Sequence, residues 1–278
     1  MSKIKLKDYQ EEAVKFSLKV PKSLYCMRVG CGKTICAMFS ARALVKRGLA
    51  DKIVIACTAT ATNVFTEDFK EKAGINLKLI EKAEDFIAFL KSSSRACLIK
   101  HSMFEKIGND LVLLKLLYKL LKETNLKVTL IIDEAHKLQN TEGVTHEAYE
   151  RMSFTFDRIL LYTATPYSSC LSQFYGLIHL IYPKLWKNKR EFTDAYIDEI
   201  TIRDPRTGRV ARKEKIAYKN LKQFREKISP FTYFYYPPIP LVHKEWTTTL
   251  DEESMKEYLD LCWGILTDED KKKIESSI

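Results

Sequence analysis

Hydrophobic residues alternate along residues 22–166 between short unbroken runs and longer segments with helical spacing. The unbroken runs predict strands that are buried on both faces, and they lie at 23–26, 53–57, 77–79, 96–100, 128–132 and 158–162. The segments with helical spacing lie at 4–19, 35–47, immediately before Gly74, 83–91 and 111–122. This alternation predicts an α/β fold with a doubly wound, mostly parallel sheet and helices on both faces.

A glycine loop follows the first predicted strand and leads into a helix. Its residues are Gly30, Cys31, Gly32, Lys33 and Thr34. The glycines allow successive backbone N–H groups to point inward, and the helix N-terminus adds partial positive charge. We expect Lys33 to reach the outer phosphates of ATP and the Thr34 hydroxyl to ligate Mg²⁺. Met27 replaces the first glycine of the full phosphate-loop pattern, so the match is the shorter Gly-x-Gly-Lys-Thr form.

An acidic pair follows the predicted strand at 128–132, in the sequence Asp-Glu-Ala-His. Ligands of open α/β sheets bind at the carboxyl ends of the strands. We expect Asp133 to hold Mg²⁺, Glu134 to orient and deprotonate the attacking water, and His136 to sense the γ-phosphate. A lone carboxylate pair is more often a solvated strand end, but the upstream phosphate loop favours the catalytic interpretation.

Two polar segments are candidates for recognising adenine and nucleic acid. Gln10 lies in the first turn of a helix for which Asp8 is the predicted N-cap, and its amide offers a donor and an acceptor to an adenine edge. Thr60, Thr62 and Asn63 lie in a hydroxyl-rich turn after the strand at 53–57. These three side chains either contact a nucleic-acid backbone or cap the following helix, and the sequence leaves both interpretations open.

Composition adds a partner class and a compartment. The 278 residues permit one large or two small domains. The net charge of +10 indicates either a polyanionic partner or a general bias toward lysine, and composition alone favours neither interpretation. Seven cysteines without a Cys-x-x-Cys pair predict free thiols in a reducing, cytoplasmic environment, with neither disulfides nor zinc. Neither a signal peptide nor an apolar stretch of membrane-spanning length is evident, so we expect a soluble protein without a membrane partner.

The composition changes after Pro166. Residues 171–200 are aromatic and helical in pattern, and residues 203–222 are strongly basic around a turn at 204–208. This segment predicts a basic hairpin at about 203–219 that follows phosphates, although a solvated charged loop is the alternative. The candidate contacts on the hairpin are Arg206, Arg209, Arg212 and Lys213. Residues 231–240 predict an extended segment on the core, and residues 251–278 a charged helical tail.

These motifs occur in an order that is specific to one group of proteins. Gln10, the glycine loop, the threonine-rich turn at 58–63, the Asp-Glu-Ala-His sequence and a Thr-Ala-Thr-Pro sequence at 163–166 follow one another along the chain. In this the chain resembles the superfamily-two helicases. The segment 171–177 and the Ile-Ser-Pro sequence at 228–230 make it most similar to the Swi/Snf-type double-stranded DNA translocases, which include phage-encoded members.

The resemblance implies that the chain is a RecA-like ATPase lobe with a C-terminal extension. This lobe corresponds to the first of the two lobes that form the family's motor. The predicted domains are an ATP-binding core at 1–166, an extension at 167–245 and a helical tail at 246–278 that leads toward a second lobe. By resemblance, Thr163 and Thr165 couple the γ-phosphate state to the nucleic-acid surface, and the second lobe or a partner chain supplies arginine fingers. Tyr233 and Phe234 depart from the paired arginines usual in the family.

The implied activity is ATP hydrolysis coupled to movement along nucleic acid, with duplex DNA favoured over RNA. Two alternatives stay open. The first is a nucleotide-gated nucleic-acid-binding adaptor that needs a second lobe in trans, and the second is an RNA helicase of the Asp-Glu-Ala-His type. Because arginine fingers contribute on the order of 10³- to 10⁵-fold in rate, we expect the lobe alone to hydrolyse ATP poorly.

Overall fold

A seven-stranded parallel sheet forms the centre of the fold. The computed structural model describes residues 5–167, 170–203 and 210–237. The strands of the sheet are β1 (Lys22–Met27), β2 (Lys52–Cys57), β3 (Lys78–Ile80), β4 (Ala96–Lys100), β5 (Val128–Ile132), β6 (Arg158–Thr163) and β9 (Thr232–Tyr235). Their spatial order is β3-β4-β2-β5-β6-β1-β9, and every neighbouring pair is parallel. The predicted α/β fold of the RecA-like type is confirmed.

Helices cover both faces of the sheet. They are α1 (Asp8–Lys19), α2 (Lys33–Lys46), α3 (Thr62–Asp68), α4 (Ala83–Lys91), α5 (His101–Asn109), α6 (Leu111–Thr124), α7 (Val144–Ser153), α8 (Ser172–Ile181), α9 (Lys189–Tyr196) and α10 (Leu221–Ile228). Short helical turns span Ala59–Ala61, Phe69–Ala73, Ala135–Leu138 and Ser229–Phe231. None of the helices in the described ranges has the length and apolar character that crossing a bilayer requires.

The unbroken apolar strands are explained by two hydrophobic cores, one on each face of the sheet. Successive side chains of a strand point to opposite faces. Leu130 and Ile132 of β5 therefore pack into one core, whereas Ile131 between them packs into the other. Tyr25 and Tyr162 stack within the second core with ring centroids 4.4 Å apart. A strand buried on both faces has no solvated side, so its sequence shows no polar alternation.

One helix was not predicted, and one predicted helix is less buried than its sequence suggests. Helix α5 was not predicted, because its core-facing residues His101, Phe104 and Ile107 lie among mostly polar residues and are followed by a glycine. The predicted helix at 111–122 is confirmed as α6, but only Leu117 among its residues is fully buried. The other apolar side chains of α6 are therefore partly buried or exposed.

The C-terminal part of the described chain contributes both a hairpin and a strand of the sheet. Strands β7 (Ile197–Arg203) and β8 (Val210–Tyr218) pair antiparallel, as the basic-hairpin prediction requires. The turn between them and residues 238–278, which include the predicted helical tail, lie outside the described residues. The segment predicted to lie extended on the core instead enters the sheet as β9, parallel to β1. The core sheet thus takes a strand from beyond residue 166.

We predict that Gly176→Ala destabilises the fold by about 1–3 kcal/mol through overpacking. A Cβ atom at Gly176 in α8 would lie 2.4 Å from the backbone oxygen of Gln139, which follows the helical turn at Ala135–Leu138. Gly143→Ala is the matched control, because its added Cβ would lie 3.3 Å from the Asn140 oxygen. Urea denaturation should show a clear loss for the first variant and little change for the second. Equal losses would contradict the packing argument.

Candidate functional site

The candidate site lies at the carboxyl edge of the three adjacent strands β5, β6 and β1. The glycine loop follows β1, the acidic pair follows β5, and Thr163 is the last residue of β6. Thr163 pairs in register with Cys26, just before the loop. Burial is the main influence on the pKa of Asp133, and the charge of Lys33 acts in the opposite direction, so the start of α2 lies near the acidic pair. The structure therefore brings together the predicted phosphate-binding, acidic and Thr-Ala-Thr segments.

The glycine loop has the backbone conformation that its glycines permit. Gly30 has φ 80° and Gly32 has φ 74°, both in the left-handed region that other residues rarely adopt. Gly32 is the N-cap of α2, so Lys33 and Thr34 form the first helical turn. A Cβ atom at Gly32 would lie 2.6 Å from the Gln10 Nε2 atom. The backbone conformation at this position thus favours glycine, and a larger residue would also displace the Gln10 side chain.

Gln10 ties α1 to the glycine loop. Its side chain is 6% exposed. The Oε1 atom accepts the Lys7 N–H at 3.0 Å, and Nε2 donates to the Cys31 backbone oxygen at 3.3 Å. Lys7, not Asp8, is therefore the N-cap of α1, and the Gln10 side chain accepts the backbone N–H of this N-cap residue. Reading an adenine edge would require Gln10 to exchange at least one of these bonds, and that role stays a prediction.

An aromatic pair beside Gln10 was not predicted. The rings of Tyr9 and Tyr235 stack with centroids 3.8 Å apart and an interplanar angle of 11°. The Tyr233 hydroxyl donates to the Tyr9 backbone oxygen at 2.7 Å, which ties β9 to α1. Burial and then the neighbouring Cys31 thiol raise the pKa of Tyr9, so the pair lies close to the glycine loop. The position of Tyr9 directly before Gln10 was the available sequence signal.

The acidic pair combines a buried carboxylate with a strained backbone. Asp133 is 8% exposed, and burial is the main reason its pKa rises to about 6. The charge of Glu134 raises this pKa further, whereas Lys33 lowers it. Glu134 adopts φ 49°, ψ 49°, a left-handed conformation that is uncommon outside glycine and that often marks functional sites. Its Oε2 atom lies 3.1 Å from Nδ1 of His136.

His101 fixes the backbone at the end of β5, a role that sequence reasoning missed. Its Nε2 lies 3.0 Å from the Asp133 backbone oxygen, and its Nδ1 lies 2.7 Å from the Tyr149 hydroxyl. Burial is the main cause that lowers the pKa of His101 to about 4, so the ring is neutral at pH 7. Nε2–H therefore donates to the Asp133 carbonyl, and Nδ1 accepts from Tyr149. The available signal was its position directly after a predicted strand.

The Thr-Ala-Thr segment is bonded to the turn that follows the acidic pair. The buried Thr163 hydroxyl accepts the Thr165 N–H at 3.1 Å. The Thr165 backbone oxygen in turn accepts a hydrogen bond of 2.7 Å from the Gln139 side chain. These contacts connect β6 to the Ala135–Leu138 turn, which contains His136. The coupling role assigned to Thr163, Thr165 and His136 stays a prediction.

The structure describes only some of the residues that are predicted to contact nucleic acid. Thr62 is buried at the first position of α3, and its hydroxyl donates to the Thr58 backbone oxygen at 3.4 Å. The N-cap of α3 is Ala61, so the alternative in which Thr62 caps this helix is wrong. Thr60 and Asn63 are exposed. Arg212 and Lys213 are positions of β8, paired in register with Ile202 and Thr201. Arg206 and Arg209 lie outside the described residues.

The sheet, the glycine loop after β1 and the acidic pair after β5 together define a RecA-like P-loop lobe of the helicase class. A family model described as the SNF2-related domain matches residues 9–233, and the chain belongs to that family. It therefore carries an SNF2-family ATPase/helicase domain.

Relatives support the same family. An uncharacterized ATP-dependent helicase of Bacillus subtilis, YqhH, is 25% identical over 175 residues, which cover 63% of this chain and 28% of YqhH. Protein CHROMATIN REMODELING 5 of Arabidopsis thaliana is 35% identical over 69 residues, or 25% of this chain and 4% of that protein. This chain thus spans a small part of the curated relatives it matches.

Solved structures from Sulfolobus solfataricus share the fold. The SWI2/SNF2 ATPase core in complex with double-stranded DNA matches with a TM-score of 0.58 and 16% identity, over 83% of this chain and 44% of that chain. The SWI2/SNF2 ATPase core domain matches with a TM-score of 0.60 and 15% identity, over 83% and 43%.

We predict that Asp133→Asn stabilises the nucleotide-free chain at neutral pH. Because the pKa of Asp133 is higher in the folded protein than the ordinary 3.8, its ionisation opposes folding above pH 6. A rise of this size corresponds to about 3 kcal/mol at most. This penalty decreases as the pH falls through 6 and is lost near pH 4, where the carboxyl is protonated in both states.

Urea denaturation at about pH 7.5 and about pH 5 measures this effect, with a gain of about 1–3 kcal/mol at the higher pH and a smaller gain at the lower one. Glu134→Gln is the comparison variant, because it removes the neighbouring charge that raises the pKa of Asp133 and leaves the Asp133 carboxyl in place. It should stabilise less. A gain for Asp133→Asn that does not depend on pH would contradict the assignment.

Proposed function

We propose that this chain is the N-terminal ATPase lobe of an ATP-dependent translocase that moves on double-stranded DNA. The observation that carries the proposal is the convergence of Lys33, Asp133 and Thr163 at one edge of the sheet. Membership of the SNF2-related family supports the same reaction class. The reaction is the attack of water on the γ-phosphorus of ATP, which forms a new P–O bond, breaks the bond to the β-phosphate oxygen and releases ADP and phosphate.

The residues of the loop have distinct roles in binding ATP. The left-handed glycines and the start of the 14-residue helix α2 present backbone N–H groups and partial positive charge to the phosphates. Lys33 adds a full positive charge at the outer phosphates. Gln10 and the Tyr9–Tyr235 pair lie beside this loop and are the candidates for binding the adenine.

Thr34 and Asp133 would hold Mg²⁺, which neutralises charge on the phosphate oxygens when bound. The donor set fits a hard cation, because both residues supply oxygen atoms. The buried Asp133 carboxylate also has a raised pKa, so a nearby positive charge would offset the cost of its ionisation. Glu134 is half-buried beside Asp133 and accepts the proton of the attacking water.

The contacts of the Thr-Ala-Thr segment support a coupling path. His136 lies within the helical turn that begins after Glu134, and Gln139 at the end of that turn bonds to the Thr165 backbone. A displacement of the turn on loss of the γ-phosphate would therefore pull on the segment 163–165. We infer that this connection transmits the nucleotide state to the nucleic-acid surface.

Duplex DNA is the proposed track. The chain has a net charge of +10, and the Sulfolobus core with the same fold was solved in complex with double-stranded DNA. Thr60 and Asn63 are exposed next to the carboxyl end of β2, on the same sheet edge as the nucleotide site. The basic hairpin supplies further candidate contacts in Arg212 and Lys213 on β8, and Arg206 and Arg209 precede β8 in the sequence.

A second RecA-like lobe completes the proposed motor. The chain spans only 44% of the Sulfolobus core with DNA, so about half of that core has no counterpart here. A second lobe, on the same or another polypeptide, would supply the arginine fingers. Without it the chain acts as a nucleotide-gated adaptor that binds nucleic acid, which is the alternative function that this coverage favours.

We predict weak ATP hydrolysis by the chain alone and clearly separable effects of two substitutions. Lys33→Ala removes the charge at the phosphates and should abolish binding of a fluorescent ATP analogue. Glu134→Gln leaves the phosphate loop intact, so it should retain nucleotide binding and lose the residual hydrolysis.

Nucleotide binding and steady-state phosphate release, with and without duplex DNA, measure these effects. Lys106→Ala on the exposed side of α5 is the control and should behave as the original protein. Arginine fingers raise the rate of hydrolysis on the order of 10³- to 10⁵-fold. ATP turnover above a few per second without a partner chain would therefore refute the need for a second lobe.

We predict that the hairpin and the threonine-rich turn contribute to DNA binding in different ways. Arg212→Glu with Lys213→Glu should weaken binding to a duplex and reduce the slope of log K against log salt by about 2, since about one counterion is released per cation. Thr60→Ala with Asn63→Ala should weaken binding without changing that slope, because hydrogen bonds release no counterions.

Fluorescence anisotropy at several salt concentrations distinguishes these outcomes. The control is Lys119→Glu with Lys122→Glu, because these exposed lysines of α6 change the net charge equally at another surface. An equal effect of the control pair would indicate binding through overall charge. Tighter binding of RNA than of duplex DNA would favour the RNA helicase alternative.

A further inference from the structure

A half-open cavity of about 560 Å³ lies at the amino edge of the sheet, opposite the candidate nucleotide site. Its floor is formed by Ile53 near the start of β2 and Ala96 at the start of β4, which pair in register. Val45 of α2 and Ile75 of the loop before β3 add apolar walls. Cavities of this size with an apolar lining are typical of binding sites.

Three cations surround the mouth of this cavity. Arg42 and Lys46 lie one turn apart near the end of α2, and Arg95 lies directly before β4. All three side chains are exposed. Within the part of the chain that the structure describes, none of them forms an ion pair, and the lining includes no carboxylate. The cavity therefore combines an apolar floor with uncompensated positive charge.

A buried lysine holds one wall of the cavity in place. Lys52 is 5% exposed, and its Nζ donates to the backbone oxygens of Phe89 at 3.2 Å, Ser92 at 2.5 Å and Ser94 at 2.7 Å. This interaction caps the end of α4 and fixes the loop that carries Arg95. The Arg95 backbone oxygen in turn accepts the Ile53 N–H at 2.8 Å. These hydrogen bonds hold the backbone at Arg95 in place.

An unusual helical turn leads into the opposite wall, which is formed by Gly74, Ile75 and Asn76. Residues Phe69–Ala73 form a π-helix that ends at Gly74, a cavity-lining residue with φ 67°. The Ile75 N–H donates to the Phe69 backbone oxygen at 2.9 Å and closes this turn. Single π-helical turns are rare and are concentrated at functional sites. This turn therefore fixes the backbone that places Gly74 and Ile75 in the wall.

We propose that this cavity is a docking site for an acidic segment of a partner polypeptide, which inserts one large apolar side chain. The apolar floor requires an apolar anchor, and the three cations require carboxylates beside it. A nucleic-acid backbone supplies charge but no apolar group to cover Ile53 and Ala96. Because the cavity and the nucleotide site are at opposite edges of the sheet, the partner does not compete with ATP for space.

The probe for this site is a fluorescein-labelled peptide with the sequence Glu-Asp-Glu-Trp-Glu-Asp-Glu, measured by fluorescence anisotropy. We expect it to bind at least tenfold more tightly than a peptide with serine in place of tryptophan. A version with lysines in place of all the acids should not bind. Equal binding of the serine peptide would overturn the proposed anchor, and binding of the lysine version would overturn the proposed charge complementarity.

Substitutions at the rim and in the wall locate the binding. Arg42→Glu with Arg95→Glu should weaken binding of the probe by more than tenfold, and Ile75→Ser should weaken it by several fold. Lys91→Glu with Lys106→Glu is the matched control, because it makes the same change of net charge at exposed positions outside the lining. Unchanged binding by the rim variant, or an equal loss in the control, would overturn the proposal.

The test separates this site from the proposed ATPase function. The rim variant should melt at the original temperature and bind a fluorescent ATP analogue as before, whereas Lys33→Ala should bind the peptide as before. Loss of ATP binding in the rim variant would show a general defect and would overturn the assignment. A 20-base-pair duplex that displaces the probe from the cavity would identify a nucleic-acid surface instead and would also overturn it.

Discussion

The parallel alignment of β5, β6 and β1 is the constraint on which the site depends. The three strands are buried on both faces along nearly their whole length, so charged side chains lie only where these strands begin or just after they end. The register that pairs Leu161 with both Leu24 and Ile132 sets the ends of the strands side by side. A slip by one residue would exchange the two hydrophobic cores and separate Thr163 from the glycine loop.

The same geometry makes the site energetically costly in the absence of nucleotide. Asp133 ionises in a buried position next to Glu134, and the charge of Lys33 opposes the resulting rise in its pKa. Glu134 additionally adopts a left-handed backbone. His101 compensates for part of this cost, because its hydrogen bond satisfies the Asp133 carbonyl without introducing another charge. Such residues lower the folding stability of the free protein, which is typical of sites selected for binding a ligand rather than for stabilising the fold.

The sequence predicts those features that depend on local pattern. Strands 96–100 and 128–132 were predicted with the bounds the structure has, because unbroken apolar runs arise only where both faces are covered. The glycine loop was predicted because Gly-x-Gly-Lys-Thr is a local pattern, and both of its glycines adopt the left-handed conformation that glycine favours. The His101–Asp133 bond, the Tyr9–Tyr235 stack and the entry of β9 into the sheet were not predictable. Each joins segments distant in sequence, and only the tertiary fold specifies them.

Helix α2 connects the two edges of the sheet and gives each a different electrostatic character. Its first turn carries Lys33 at the nucleotide site, where the helix N-terminus favours anions. Its last turn carries Lys46 at the cavity, where cations are favoured by the opposite end of the helix dipole. Positive side chains at the second end therefore cost little in the free protein. The cation at the cavity and the cation at the candidate nucleotide site therefore lie at opposite ends of one helix, and the first is available to the acidic partner proposed above.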